Sequence, residues 1–510
     1  MKNKNILVSG ASIAGPALTY WLHRHGFRAS VHTTRRQSIA WRALAIALGG
    51  LTLTSCSNPV QEVEETSAAQ TEAAVTTVST AGKQLFSLPF PHTNGRSCAT
   101  CHVLAENTAL SPANVEARLA ANPQDPLFHR IDADDPNAAI PTYEHLRKGL
   151  VRVVLPLPDN MDVIDNGGNI ITPADRKIAV WRGVPSIENT AITGPYQLDG
   201  RASNLSEQAQ AAITSHSEGG PVTPAQLDLI ADFQRSVFSS PRARFVSELL
   251  EHGVPVEQLP FPEDYMQLNA QEKRGRELFK AACAGCHGGA TTAQITNRAI
   301  HATSFFALEP DGNVVHTVVP GQAPTPVNVP HPNSEFLNVG AGFFSYLGQI
   351  GQFPTYNASV ELPRYRFRFY TDGSRQHPIT ELPPLPITAS GDPYDLNPAL
   401  DENGAPIAGP NLAPQWFTTD PGRALITGDP RDFEAFDTPP LRGVARTAPY
   451  FHDNSHETLQ DVVDTYSRFI LPVTAPLNLP AVHPPEFPGA PPEALSTAQK
   501  QDLLKFLNKL

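Results

Sequence analysis

Four of the five cysteines stand in two copies of Cys-x-x-Cys-His: Cys98-Ala-Thr-Cys101-His102 and Cys283-Ala-Gly-Cys286-His287. Two thiols at this spacing can each add to one vinyl group of a single haem, and the adjacent histidine then reaches the iron as proximal ligand. A bare redox dithiol would explain one copy. Two copies, with no other cysteine in the body of the chain, point to two covalently bound c-type haems. Cys98, Cys101, Cys283 and Cys286 are the expected attachment residues, and His102 and His287 the expected metal ligands.

The elements that must position these motifs recur in one order. Gly82-Lys-Gln-Leu-Phe86 precedes the first motif and Gly275-Arg-Glu-Leu-Phe279 the second. The segment Pro185 to Pro195-Tyr196 answers Pro439 to Pro449-Tyr450, followed by Asp199-Gly200-Arg201 with Leu205 and by His452-Asp453-Asn454 with Leu459. Each half closes on a helical stretch, Ala225 to Phe233 and Ala498 to Phe506. The pattern predicts a mainly α fold built by internal duplication, and 50 prolines predict that it is loop-rich. Asn269 with Glu272 reads as the capping pair of a helix that runs into the second motif, with Leu278, Phe279 and Ala282 on its apolar stripe. Thr497 to Leu510 reads as a closing helix with Leu503, Leu504, Phe506, Leu507 and Leu510 toward a core. Between Gly288 and about Pro430 lies a long Pro-, Gly- and Asn-rich stretch. Its aromatics, Phe305, Phe306, Phe343, Phe344, Tyr365, Phe367, Phe369 and Tyr370, read as the core of an inserted subdomain; a haem pocket or substrate channel is the alternative.

The front of the chain reads differently. Arg35, Arg36 and Arg42 precede an apolar run, Ala43 to Leu53, that ends in Leu53-Thr54-Ser55-Cys56. A charged region, an apolar region too short to span a bilayer and a small-residue cleavage site make a secretory signal. Its ending resembles a lipoprotein signal, with Cys56 as the lipidation site. Residues Asn5 to Arg28 resemble the opening strand, glycine turn and helix of an FAD-dependent monooxygenase. The acid that would hold a ribose is missing after Val31-His32-Thr33-Thr34, so flavin binding is not expected. Residues 1–30 are read as a fused or mis-started fragment, and a start at Val31 would leave a signal of ordinary length. Seven of the 38 Lys and Arg, and no Asp or Glu, fall in the first 55 residues. The rest holds 31 basic against 50 acidic residues, a net of −19. That balance argues against nucleic acid and against charge-driven binding to anionic lipid.

With these motifs in hand, the chain resembles the bacterial dihaem cytochrome c peroxidase and MauG superfamily over most of residues 81–510. The resemblance rests on both haem motifs, on Asp199-Gly-Arg-Ala202 with Leu205 and Gln208, on Asp420-Pro-Gly-Arg423, on Thr438-Pro-Pro-Leu-Arg442 and on Thr447-Ala-Pro-Tyr-Phe-His452. It implies two cytochrome c-like domains, the N-terminal haem handling peroxide and the C-terminal haem passing electrons. It implies Gln208 as distal glutamine and Glu218 as acid–base carboxylate. O–O cleavage needs a proton moved between the two oxygens, a task for a partly desolvated carboxylate; a solvated helix end is the alternative for Glu218. The family's second haem takes a methionine or, in MauG-like members, a tyrosine. No methionine follows the second motif, and Tyr466 stands at that position. A phenolate favours ferric iron and lowers the potential.

The chain also departs from the family. Leu198 replaces a tryptophan between the haems. Gly183 replaces an asparagine of the interdomain calcium site, so calcium is a candidate with an incomplete ligand set, to which Thr447 and Pro449 could still offer carbonyls. No residue clearly matches the distal histidine; His129 and His145 are candidates. His452 is expected to bond a haem propionate or the domain interface.

The expected organisation is a Rossmann-like fragment at 1–30, a lipoprotein signal at 31–55, a disordered tether at 56–80, a first domain at 81–245, a linker at 246–268 and a second domain at 269–510 with its insertion at about 290–430. The expected activity is reduction of hydrogen peroxide by electrons from a small periplasmic donor, by a protein lipid-anchored in the periplasm. The rivals are a MauG-like or rubber-oxygenase-like oxidase of an organic or protein substrate, and a non-enzymatic electron-transfer cytochrome.

Overall fold

The computed structural model describes residues 79–296, 335–351, 353–382, 417–471 and 493–510, with short strands at 5–9, 28–32, 307–308, 314–315 and 411–412. Cys56, the signal and the tether up to residue 78 lie outside the described residues. Strand β1 (Asn5–Ser9) pairs in parallel with β2 (Arg28–His32), the pairing that opens a βαβ unit. β2 runs through His32, two residues past the expected edge of the fragment.

Helix α1 (79–87) leads to the first motif, whose cysteines share one helical turn, Cys98–Cys101. α2 (Leu205–His216) is capped by Asn204, and α3 (Pro224–Arg235) by Thr223 with Gln226. α4 (Ala270–Ala282) opens on the expected Asn269–Glu272 capping box and delivers Cys283 at its C-cap. α5 (Leu459–Thr465) is followed by a π-helical turn, Tyr466–Ile470. α6 (Thr497–Leu507) stops short of the chain end, with Leu503, Phe506, Leu507 and Leu510 buried. These side-chain caps satisfy N–H groups that a helix start leaves unpaired.

The repeated segments adopt matching local geometry. A Cβ on Gly82 would lie 2.1 Å from the Leu229 carbonyl oxygen of α3, and one on Gly275 would lie 2.0 Å from that of Asp502 in α6. Only glycine lets α1 cross α3, and α4 cross α6, this closely. One turn on, Phe86 and Phe279 are fully buried, their ring centroids 5.1 Å from Phe233 and 5.4 Å from Phe506. The Tyr196 hydroxyl donates to the Thr190 carbonyl at 3.0 Å, and Tyr450 donates to Val444 at 3.0 Å. Each tyrosine follows a cis proline, Pro195 and Pro449.

The stretches expected to be insertions build one body. β3 (Leu150–Pro156) pairs with β5 (Lys177–Gly183), and β4 (Met161–Ile164) pairs with β6 (Arg366–Phe369) from the second half, both antiparallel. One core joins Val153, Met161 and Val180 to Phe344, Phe367, Phe369 and Phe433. Phe344, Phe367, Phe369 and Tyr370 are therefore core residues, as expected, but of a body shared with 103–180 rather than of a self-contained subdomain. Tyr365 donates to the Ala179 carbonyl at 2.7 Å. Phe305, Phe306 and the Phe343 side chain lie outside the described residues. No helix among the described residues is long and apolar enough to cross a membrane.

Candidate metal centres and active site

Both motifs present their histidines alike. His102 Nδ1 lies 3.0 Å from the Thr108 carbonyl, and His287 Nδ1 lies 3.0 Å from that of Pro439. An imidazole that donates from Nδ1 to a carbonyl leaves the Nε2 lone pair for a metal. Burial holds His102 below the ordinary histidine range and takes His287 down to about 4, so both rings stay neutral. The four thiols are unbridged. Burial pushes Cys98, Cys283 and Cys286 up to about 12 and Cys101 to about 11. A reactive redox dithiol needs a thiol that ionises readily, the opposite environment. Buried polar atoms without a partner among the described residues include Arg442 Nη1 and both ring nitrogens of His452. Such atoms suit acidic substituents like haem propionates. The residues fit haem.

At the first motif, Cys98 and Ala99 pack against an apolar cluster that holds Phe86 of α1 and Ala209 and Ile213 of α2. Just past α2, Glu218 holds a left-handed φ of +53°. Asn94 Nδ2 donates to Glu218 Oε2 at 3.3 Å and to the His216 carbonyl at 3.0 Å, and the Asn94 N–H donates to the Ser217 carbonyl at 2.9 Å. Glu218 is thus tied to the loop that enters the motif, with half of its side chain exposed. Gln208 lies on α2 and accepts from Gln234 Nε2 at 3.3 Å, so its amide faces α3. His129 Nε2 lies 3.5 Å from Glu218 Oε2. His145 is excluded as a distal ligand. Its Nδ1 contacts Asp134 at 2.5 Å, its Nε2 meets the Glu361 carbonyl at 2.9 Å, and its ring stacks on Trp181 at 4.0 Å.

At the second motif, the structure brings in Tyr466, which packs in the same apolar cluster as Cys283. Burial first, then the nearby Cys286 and Cys283, push its phenol well above the ordinary tyrosine range. Its hydroxyl makes no hydrogen bond to a described residue. Tyr466 also opens the π-helical turn, a feature often found at functional positions.

Sequence reasoning missed the seam between the halves. Arg182 of β5 is buried and bidentate to Asp420 at 2.6 and 3.0 Å, and its Nη1 reaches Asp199 at 2.5 Å. The Arg423 guanidinium donates to the Asp199 carbonyl at 2.8 Å. One arginine therefore clamps both Asp-containing segments. It also missed Asn94 and the buried Arg96–Asp132 pair at 2.5 Å. Nothing in their spacing marks them, since a lone charge in a sequence reads as surface. At Gly183, a Cβ would lie 2.3 Å from Asn454 Oδ1, and Asn454 Nδ2 donates to the Lys148 carbonyl at 2.9 Å. Asn454 fills the space the absent asparagine leaves. That position offers one amide oxygen, to which the Thr447 and Pro449 carbonyls and water would have to be added to reach the roughly six to eight oxygens calcium takes.

Residues 270–325 match the family model described as cytochrome C oxidase, cbb3-type, subunit III. The chain is 35% identical over 91 residues to cytochrome-c peroxidase IdrP1 of Pseudomonas sp. (strain SCT), covering 18% of this chain and 21% of that protein. It is 31% identical over 127 residues to cytochrome-c peroxidase IdrP1 of Denitromonas iodatirespirans, covering 25% of this chain and 30% of that protein. The matches thus span less than a third of either relative's length. Among solved structures it is similar to a MauG-like protein associated with microbial copper homeostasis, at 18% identity and a TM-score of 0.33 over 90% of this chain and 91% of that one.

Proposed function

We propose that this chain, which belongs to the bacterial dihaem cytochrome c peroxidase and MauG superfamily, is a dihaem c-type oxidoreductase that reduces hydrogen peroxide with electrons from a small periplasmic donor. Cys98 and Cys101 with His102 would hold one haem, and Cys283 and Cys286 with His287 the other, in two domains related by duplication. When bound, these groups supply redox-active iron for the electron steps. Peroxide reduction takes up two electrons and two protons and releases two waters.

The side chains handle the protons and the orientation. Glu218 carries a proton at its carboxylate between one peroxide oxygen and the other. Gln208 offers an amide that can hold the peroxide by hydrogen bond. The apolar cluster that includes Ala209 and Ile213 of α2 packs against the cysteine turn. The observation that carries this reading is Glu218, held by Asn94 against the loop that enters the first motif. Export and lipid anchoring through Cys56 belong to the same proposal.

The test is peroxide-dependent oxidation of a reduced small cytochrome by the full-length holoprotein. Glu218→Gln should lower turnover roughly 10²-fold or more, the usual contribution of a positioned acid–base group. Unchanged turnover would remove Glu218 from the mechanism. Tyr466 beside the second motif, together with Leu198, favours the second reading, a MauG-like or rubber-oxygenase-like oxidase. In that case peroxide alone gives a lasting optical change, and donor oxidation is slow. A protein inert to peroxide would be an electron-transfer cytochrome.

A further inference from the structure

His129 comes from the first-half insertion, where the chain departs most from the family pattern, yet it lies beside Glu218. Arg96 clamps its segment in place. Arg96 is buried against Asp132 and donates to the Pro126 and Leu127 carbonyls at 2.8 and 2.5 Å. Within that segment the Ile131 N–H donates to His129 Nδ1 at 3.5 Å. A neutral imidazole that accepts at Nδ1 carries its proton on Nε2. Nε2 is the nitrogen that faces Glu218 Oε2 at 3.5 Å, with a third of the His129 side chain exposed. Asn94 Nδ2 approaches the same oxygen at 3.3 Å. Contacts of this kind often shorten once a site is filled. The other charged or titratable groups nearby are the Arg96–Asp132 pair, Arg130 and His216. Arg130 turns away to the Pro136 and Ala138 carbonyls. Among the described residues, only His129 brings a titratable nitrogen within 4 Å of the Glu218 carboxylate.

We propose that His129 is a positioning residue for Glu218. Its Nε2–H and the Asn94 amide fix the Oε2 side of the carboxylate and leave Oε1 to exchange a proton with the molecule at the first site. This rests on the reading of Glu218 as the acid–base group.

The test uses the full-length holoprotein and cyanide. Hydrogen cyanide gives up its proton on binding, so its association rate reports the base without turnover. His129→Ala should lower that rate constant about three- to tenfold near neutral pH. The deficit should be visible along the pH profile of that rate constant, on the scale of losing one partly exposed hydrogen bond to a carboxylate. His129→Gln, whose amide can still donate, should stay near wild type. In a Glu218→Gln background, His129→Ala should add nothing. Matching resting spectra and melting temperatures establish that each variant is folded; His129→Phe carries the same expectations where His129→Ala is not. The proposal is overturned by a variant profile that superposes on wild type, or by an effect that persists in the Glu218→Gln background. If Glu218→Gln alters cyanide binding and His129→Ala does not, this inference falls and the role of Glu218 stands; if neither does, both fall.

Discussion

At the scale of single residues, Tyr466 separates the two enzymatic readings. Its ring packs beside Cys283 and its hydroxyl has no described partner, so Tyr466→Phe keeps the packing and removes one oxygen. The expected outcome is a rise in the second haem's midpoint potential of about 100 mV or more, inside the roughly 0.8 V that axial ligands span. The first haem should stay unchanged. A redox titration checks this, and an unmoved second midpoint would make Tyr466 a packing residue only. Tyr466, Glu218 and the six motif residues could be named as candidates from the sequence because each sits at a fixed offset from a recognisable neighbour. Arg182, Asn94 and Arg96 were not, because their roles depend on partners distant in the chain. Arg182 and Asp420 lie far apart in sequence and meet only when β5 packs against the second half.

At the scale of elements, the two halves rest on the same crossing. α1 meets α3 at Gly82, and α4 meets α6 at Gly275, with no room for a methyl at either point. Gly→Ala normally favours a helix by up to about 1 kcal/mol. Here the clash with a backbone oxygen should dominate, so Gly82→Ala and Gly275→Ala should each destabilise by about 1–3 kcal/mol, as overpacking does. Gly220→Ala, with nothing within 4 Å of its added carbon, is the control and should be close to neutral. Urea midpoints read all three. The helices were legible from caps and periodicity, and Asn269 with Glu272 opens α4 as expected. The shared sheet was not. The pairing of β4 with β6 joins segments about 200 residues apart, and nothing in either strand's own pattern names its partner.

At the scale of the whole molecule, the buried Arg182–Asp199–Asp420 cluster ties the halves together. Arg182→Met would leave two carboxylates buried with too little countercharge and should cost roughly 3–5 kcal/mol. Acid tests the same seam. Against the cost of burial, Arg182 and Arg201 hold Asp199 below the ordinary carboxylate range. Its contribution is therefore present above the unfolded value and lost as pH falls through the folded one. Urea midpoints taken from pH 6 down to pH 3 should fall less steeply in Arg182→Met than in wild type. In the proposed oxidoreductase the same seam would set two chemically unlike centres in one chain, the first flanked by Glu218 and the second faced by Tyr466. In that enzyme the first centre accepts an outside ligand and Tyr466 closes the second. Equilibrium cyanide titration of the holoprotein tests this most directly: one cyanide per chain, with one of two haem spectra responding, is the predicted result, and two or none would contradict it.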